Sequence, residues 1–225
     1  MRVLVVAATF FEVEGLISDF GFSISDFDKS LYKTNNTQHA THNTILITGA
    51  GMVATAFAMG KHLAENKYDL AINLGICGSF DRGIALGDVL EIVEDDLAEL
   101  GAEDDEDFIT IEKLGFGESS FRATYRLPEK FNLKKVNAVT VNTVHGNDAS
   151  IKKLSGRMNA QLESMEGAAF FYACREAGVP GLQIRAVSNY VEKRNRDAWQ
   201  IGLAIKNLNT FAGEFLDEVR GSGDL

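Results

Sequence analysis

The sequence predicts an α/β sandwich on three observations. Unbroken β-branched runs of strand length recur along the chain, as in strands buried on both faces. Stretches of helical period alternate with them. Small or polar residues stand where each run ends. The 225 residues suit one domain over 1–225 with a substantial core. An apolar share of 45% with only two prolines argues against disorder.

The first strand is 3–7, Val-Leu-Val-Val-Ala. This apolar start is short, preceded by a single Arg2 and followed at once by Glu12 and Glu14. It lacks a clean small-residue cleavage site, so it reads as a buried strand and not a signal peptide. A turn over 8–11 leads to a helix starting near Glu12, with Val13, Leu16, Ile17 and Phe20 on one side. Residues 21–43 are polar and read as a peripheral hairpin or loop. The next strand, 44–48, runs into Gly49-Ala50-Gly51-Met52 and a helix through 64. A third strand over 69–74 is ended by Gly75-Ile76-Cys77-Gly78, and a fourth covers 88–93.

The acidic run 94–107 reads as solvated surface, and 108–128 as loop. A fifth strand over 138–142 leads to Val144-His145-Gly146-Asn147-Asp148 and a short helix over 149–154. A strand near 160–164 delivers Met165 and Glu166 to a helix over 167–177. Gly178 and Pro180 stop that helix. The last central strand, 182–187, ends at Ser188-Asn189. Asp197 is placed to cap a final helix over 197–219.

Composition narrows the function. A formal charge of −10 argues against a nucleic-acid or anionic-membrane surface. No apolar run approaches the length of a membrane span. Cys77 and Cys174 form no motif, which suits a reducing cytosol without a disulfide framework. The Gly49-Ala50-Gly51 and Gly75-Ile76-Cys77-Gly78 fragments are incomplete dinucleotide fingerprints. We therefore expect no nicotinamide, and no other cofactor or metal.

In open α/β sheets the carboxyl ends of the strands form the ligand crevice. That placement would bring Glu12, Glu166 and Asn189 to one pocket. A carboxylate where a helix begins can be a plain cap, stabilised by the helix dipole. It can also accept hydrogen bonds from a vicinal diol such as a ribose. Two carboxylates and an amide, without a cysteine or histidine cluster, suit hydrolysis through a cationic, sugar-like transition state.

These positions together resemble the nucleoside phosphorylase and nucleosidase superfamily, in its purine nucleosidase branch. The carriers are Val5-Val6-Ala7-Ala8-x-x-x-Glu12, Asn73-x-Gly75-x-x-Gly78, Gly87-Asp88-Val89, Ser164-Met165-Glu166-Gly167-Ala168-Ala169 and Arg185-Ala186-Val187-Ser188-Asn189. The resemblance implies a three-layer α/β/α sandwich with a central mixed sheet. It implies that Glu12 activates water, that Met165 and Glu166 hold the ribose, and that Asn189 engages the purine. Gly78 would let the backbone approach the base or sugar. As a base Glu12 must be ionised, so it is expected to be only partly desolvated. The implied partner is a small nucleoside. The implied assembly is a homodimer or larger homo-oligomer, with a neighbouring subunit closing the 5′ side.

Hydrolysis is favoured over phosphorolysis because 8–28 contains no basic residue and carries Glu12, Glu14, Asp19, Asp26 and Asp28. The related methylthioadenosine/S-adenosylhomocysteine nucleosidases carry aspartate where this chain has Asn189. An amide cannot serve as their acid, but it can donate to a 6-oxo oxygen and accept from a protonated N7. Asn189 thus points to hypoxanthine before adenine. Flanks such as Arg194-Asn195-Arg196-Asp197-x-Trp199 narrow the resemblance to nucleosidases whose substrate carries a 5′ benzoate. Arg194 and Arg196 are candidates for that carboxylate, and Arg122 is a weaker one. Arg185 reads as structural, and His145 as adjacent to the base pocket without a catalytic role. An adenine nucleosidase of the methylthioadenosine type and a nucleoside-binding module without turnover remain as alternatives.

Overall fold

The structure, a computed structural model, describes residues 1–24, 30–34 and 43–221, and every structural statement below refers to them. Asp26, Asp28 and much of the 21–43 segment lie outside the described residues.

The chain runs β1 (Val3–Ala7), α1 (Glu14–Phe20), β2 (Phe22–Ile24), β3 (Leu31–Thr34), β4 (Thr44–Ile47), α2 (Met52–Glu65) and β5 (Leu70–Ser79). It continues through β6 (Val89–Leu97), β7 (Gly101–Asp104), β8 (Asp107–Thr110), α3 (Ile111–Leu114), β9 (Ser120–Arg122) and β10 (Lys134–Thr140). It closes with α4 (Asp148–Arg157), β11 (Leu162–Ser164), α5 (Gly167–Ala177), β12 (Gly181–Tyr190) and α6 (Ile201–Gly221).

The main sheet has the order β11-β10-β6-β12-β5-β1-β4-β3-β2, with β9 added on β6. It is mixed. The β1–β4, β1–β5, β5–β12, β6–β10 and β10–β11 pairs are parallel, whereas β6–β12, β2–β3, β3–β4 and β6–β9 are antiparallel. Strand β11 also pairs with β5. The ring β5-β12-β6-β10-β11 therefore closes on itself at one end of the sheet.

Strand alternation builds the layers. Val3, Val5 and Ala7 face one side with Ile72, Leu74 and Ile184, under α1 and α6. Leu4 and Val6 face the other with Ala71, under Met59 of α2 and Phe170 and Phe171 of α5. Both faces of the sheet are covered, which is why its central strands read as continuous apolar runs.

Several boundaries differ from the sequence expectation. Strand β5 does not end at Gly75 but runs through Gly78, because β12 pairs with it as far as Tyr190↔Ser79. A Cβ on Gly75 would stand 1.8 Å from Arg185 Nη1, so the glycine is where the strand lets a guanidinium cross it. Residues 94–97 are strand, not solvated surface. Pleating turns Glu94 outward and Asp95 fully inward. Residues 108–128 contain β9 and α3 as well as loop. Helix α6 starts at Ile201, after a 3₁₀ turn at Arg196–Ala198 that holds Asp197. Glu12 lies in a 3₁₀ turn, Phe10–Glu12, ahead of α1.

Candidate active site

The carboxyl ends of β1, β5, β11 and β12 surround a cavity of about 650 Å³. Glu12 reaches it from the turn after β1. Its Oε2 accepts from the Thr9 amide at 2.9 Å and the Thr9 hydroxyl at 3.1 Å, and its Oε1 from the Ile76 amide at 3.2 Å. Asn209 of α6 pins the turn, donating to the Glu12 carbonyl at 2.8 Å and accepting from the Leu16 amide at 2.8 Å. Glu12 is buried, where partial desolvation was expected. Burial pushes its carboxyl above the ordinary range, and the Arg185 charge and the two backbone N–H bonds oppose that push.

Glu166 occupies the N-cap position of α5, yet its side chain makes no cap bond to that helix. Its Oε1 instead accepts the Gly51 amide at 3.0 Å, at the start of α2. Gly51 has φ of 94°, the left-handed region that a residue with a Cβ avoids, and this turns its N–H to the carboxylate. The other oxygen stands 3.7 Å from Arg185 Nη1.

Arg185 is 1% exposed. It donates to Asn73 Oδ1 at 2.6 Å and to Gln183 Oε1 at 2.9 Å. Gln183 donates to Asp95 Oδ2 at 3.0 Å, the Thr140 hydroxyl to Asp95 Oδ1 at 2.8 Å, and the Ala168 amide to Thr140 Oγ1 at 2.8 Å. A buried chain of bonds thus links the first turn of α5 to the guanidinium beside Glu166. Burial raises the Asp95 carboxyl to about 7 against the bonds it accepts.

Asn189 stands after a register shift in β12 and pairs across from Gly78. Its NH₂ donates to the Tyr190 carbonyl at 3.0 Å, and its oxygen accepts from the Ser188 hydroxyl at 2.8 Å. A Cβ on Gly78 would lie 2.9 Å from Val191 and 3.2 Å from the Asn189 amide. On the other side of Gly78 stands Glu163 of β11. Its carboxylate takes the His145 backbone N–H at 2.9 Å and is also bonded to the His145 ring. Burial pushes the Glu163 carboxyl up, and the bonds from His145 oppose that.

The family model described as Phosphorylase superfamily matches residues 2–219. The chain belongs to the phosphorylase superfamily. It is 30% identical over 185 residues to a futalosine hydrolase of Thermus thermophilus, covering 79% of this chain and 82% of the relative. It is 35% identical over 184 residues to a futalosine hydrolase of Acidothermus cellulolyticus, covering 77% and 75%. A native structure of futalosine hydrolase of Helicobacter pylori superposes with a TM-score of 0.83 over 97% of this chain and 98% of that one, at 14% identity. A methylthioadenosine/S-adenosylhomocysteine nucleosidase of Neisseria meningitidis with methylthio-immucillin-A gives 0.79 over 96% and 99%, at 18% identity. At such identities the likeness is one of fold, and it is the three-layer sandwich with a mixed sheet.

In this member of the superfamily Glu12, Gly78, Met165, Glu166, Asn189 and Arg194 all line the one cavity. Arg196 does not line it. Its guanidinium lies 5.9 Å from the Trp199 ring, whereas Arg194 stacks on that ring at 5.0 Å and reaches the pocket. Arg122 is also elsewhere, in an ion pair with Glu94 on β6 at 3.0 Å. Sequence reasoning gave no role to Glu163, Ser164 or Asn209. Glu163 and Ser164 directly precede the Met165-Glu166 pair, so strand alternation alone could have flagged one of them as facing the ligand. Nothing local marks Asn209, which acts from a helix 197 residues away. The Ser164 hydroxyl is buried in the pocket wall with no hydrogen-bond partner among the described residues. Among these residues no helix is long and apolar enough to cross a membrane.

Proposed function

We propose that this chain is a purine nucleosidase that hydrolyses the N-glycosidic bond of futalosine. The products are hypoxanthine and dehypoxanthine futalosine, on an alternative route to menaquinone. The observation that carries the reading is that Glu12, beside Gly75, and Glu166, beside Arg185, line one pocket with Asn189. Bond cleavage leaves positive charge on the ribose and negative charge on the purine. Glu166 grips the ribose hydroxyls with lone pairs that Gly51 leaves open and favours the cationic sugar. Glu12 takes a proton from the water that attacks the anomeric carbon, while the bonding pair leaves with the purine, whose anion takes a proton from solvent as Glu12 returns its own. Thr9 and Ile76 fix the carboxylate for that step. Asn189 gives one N–H to the Tyr190 carbonyl, and its second N–H donates to the 6-oxo oxygen as charge builds there. Against a 6-amino group the same donor would be unpaired, at a cost of about 1–3 kcal/mol.

The 5′ benzoate suits the wall made by Phe11, Trp199, Ile201 and Ile205, with Arg194 at its rim. Phe11, which lines this pocket, and Val53 and Phe57 of α2 are 69%, 77% and 73% exposed, which supports a homodimer or larger assembly that covers them. The two free thiols, Cys77 and Cys174, suit a reducing cytosol. Mass spectrometry of the sugar product formed in phosphate buffer tests the reaction type. A free reducing sugar is expected, and a sugar phosphate would overturn hydrolysis.

A further inference from the structure

The hydrolytic scheme leaves the His145–Glu163 pair unused, although both residues line the cavity. Both oxygens of Glu163 are spent on one residue. Oε1 accepts the His145 backbone N–H at 2.9 Å, and Oε2 is bonded to the ring Nδ1. A carboxylate only accepts, so this clamp keeps a ring proton on Nδ1, and in the neutral imidazole Nε2 is then the acceptor. Among the described residues no protein group is bonded to Nε2. The sheet closure places the clamp beside Gly78, which pairs with Glu163 on one side and with Asn189 on the other. The clamped imidazole and the Asn189 amide therefore flank the same stretch of β5.

A 6-oxopurine presents an acceptor, O6, next to a donor, N1–H. A 6-aminopurine presents the reverse, an NH₂ next to an unprotonated N1. We propose that His145 Nε2 accepts the N1–H of the purine, beside the oxygen that Asn189 takes, and that Glu163 is the positioning residue that sets the ring's tautomer. This inference rests on the futalosine reading above and adds a second discriminating contact to it. Two adjacent groups of opposite polarity reject the 6-amino pattern twice, and each unpaired group lowers kcat/KM by about ten- to hundredfold.

The test is the ratio of kcat/KM for futalosine to that for its 6-amino counterpart. In Glu163→Gln the new amide oxygen still accepts the backbone N–H, but its NH₂ faces Nδ1, which drives the ring proton to Nε2. The ratio should then fall about tenfold or more. Nitrogen-15 NMR of His145 should show the proton moving from Nδ1 to Nε2, a change that a merely structural role would not produce. His145→Phe, which keeps a planar ring without an acceptor, should lower the ratio in the same direction. A wild-type preference for futalosine that survives both substitutions within twofold would overturn this inference alone. A wild-type enzyme with no 6-oxo preference would overturn the purine reading and this inference together.

Discussion

Glu166 holds Gly51, the residue ahead of α2, and bonds no amide of the helix it begins: its Oε1 accepts the Gly51 amide at 3.0 Å, across 115 residues of chain. The carboxylate is therefore held by an element other than its own. A helix-cap glutamate would satisfy the amides of its own first turn, and Glu166 makes no such bond. The arrangement fixes a charge at the pocket wall while leaving lone pairs for a ligand. Glu166→Gln keeps an acceptor for Gly51 but loses the charge. Charge-assisted hydrogen bonds contribute about 1.5–3 kcal/mol each, so kcat/KM should fall about ten- to hundredfold. Steady-state kinetics with an unchanged melting temperature would check this.

Glu12 gives a pH signature. It must be ionised to take a proton from water, and its burial raises its pKa above the ordinary 4.5. Activity should therefore fall with unit slope as pH drops through a value above 4.5. Glu12→Gln should lower kcat by about 10²–10⁴ while the fold persists. A log kcat/KM profile with its acid limb at or below 4.5 would contradict the buried environment.

Asp95 contributes to stability in the opposite sense to an ordinary ion-paired carboxylate. Its folded pKa, about 7, is raised above the unpaired 3.8, so the native state binds the proton more tightly than the unfolded chain. That contribution is full below 3.8 and is lost as pH rises towards 7. The melting temperature should be higher at about pH 5 than at about pH 8. Asp95→Asn should flatten that difference, as read by calorimetry across the two pH values.

Arg194 is exposed at the pocket rim, stacked on Trp199. An exposed pairing with a substrate carboxylate is screened by solvent and contributes about 1 kcal/mol or less. Arg194→Ala should raise KM for futalosine up to about fivefold. It should leave kcat for futalosine unchanged, because the contact lies at the pocket rim away from the bond that breaks. Arg196→Ala should change neither.

Much of this was legible in the sequence, for physical reasons. The runs at β1 and β12 are buried on both faces, so their composition declares them. The Gly178 stop of α5 is equally local: it takes the left-handed conformation at φ of 65°. Glu12, Glu166 and Asn189 were findable because each follows a declared strand. The boundaries at Gly75 and Glu94 were not. A glycine reads as a strand end, yet here it makes room for the Arg185 guanidinium, a contact made across 110 residues. An acidic run reads as surface, yet strand pleating buries Asp95 against Gln183 and Thr140. The Glu163–His145 clamp depends on β11 pairing beside β10, whose following loop carries His145, and no local pattern encodes that pairing.

The most direct measurement is chromatographic identification of the purine released from futalosine, inosine and methylthioadenosine, each with and without phosphate. The account predicts rapid release of hypoxanthine from futalosine at a rate that phosphate does not change, with little or no purine from the other two. Adenine released from methylthioadenosine in preference, or release that requires phosphate, would contradict it.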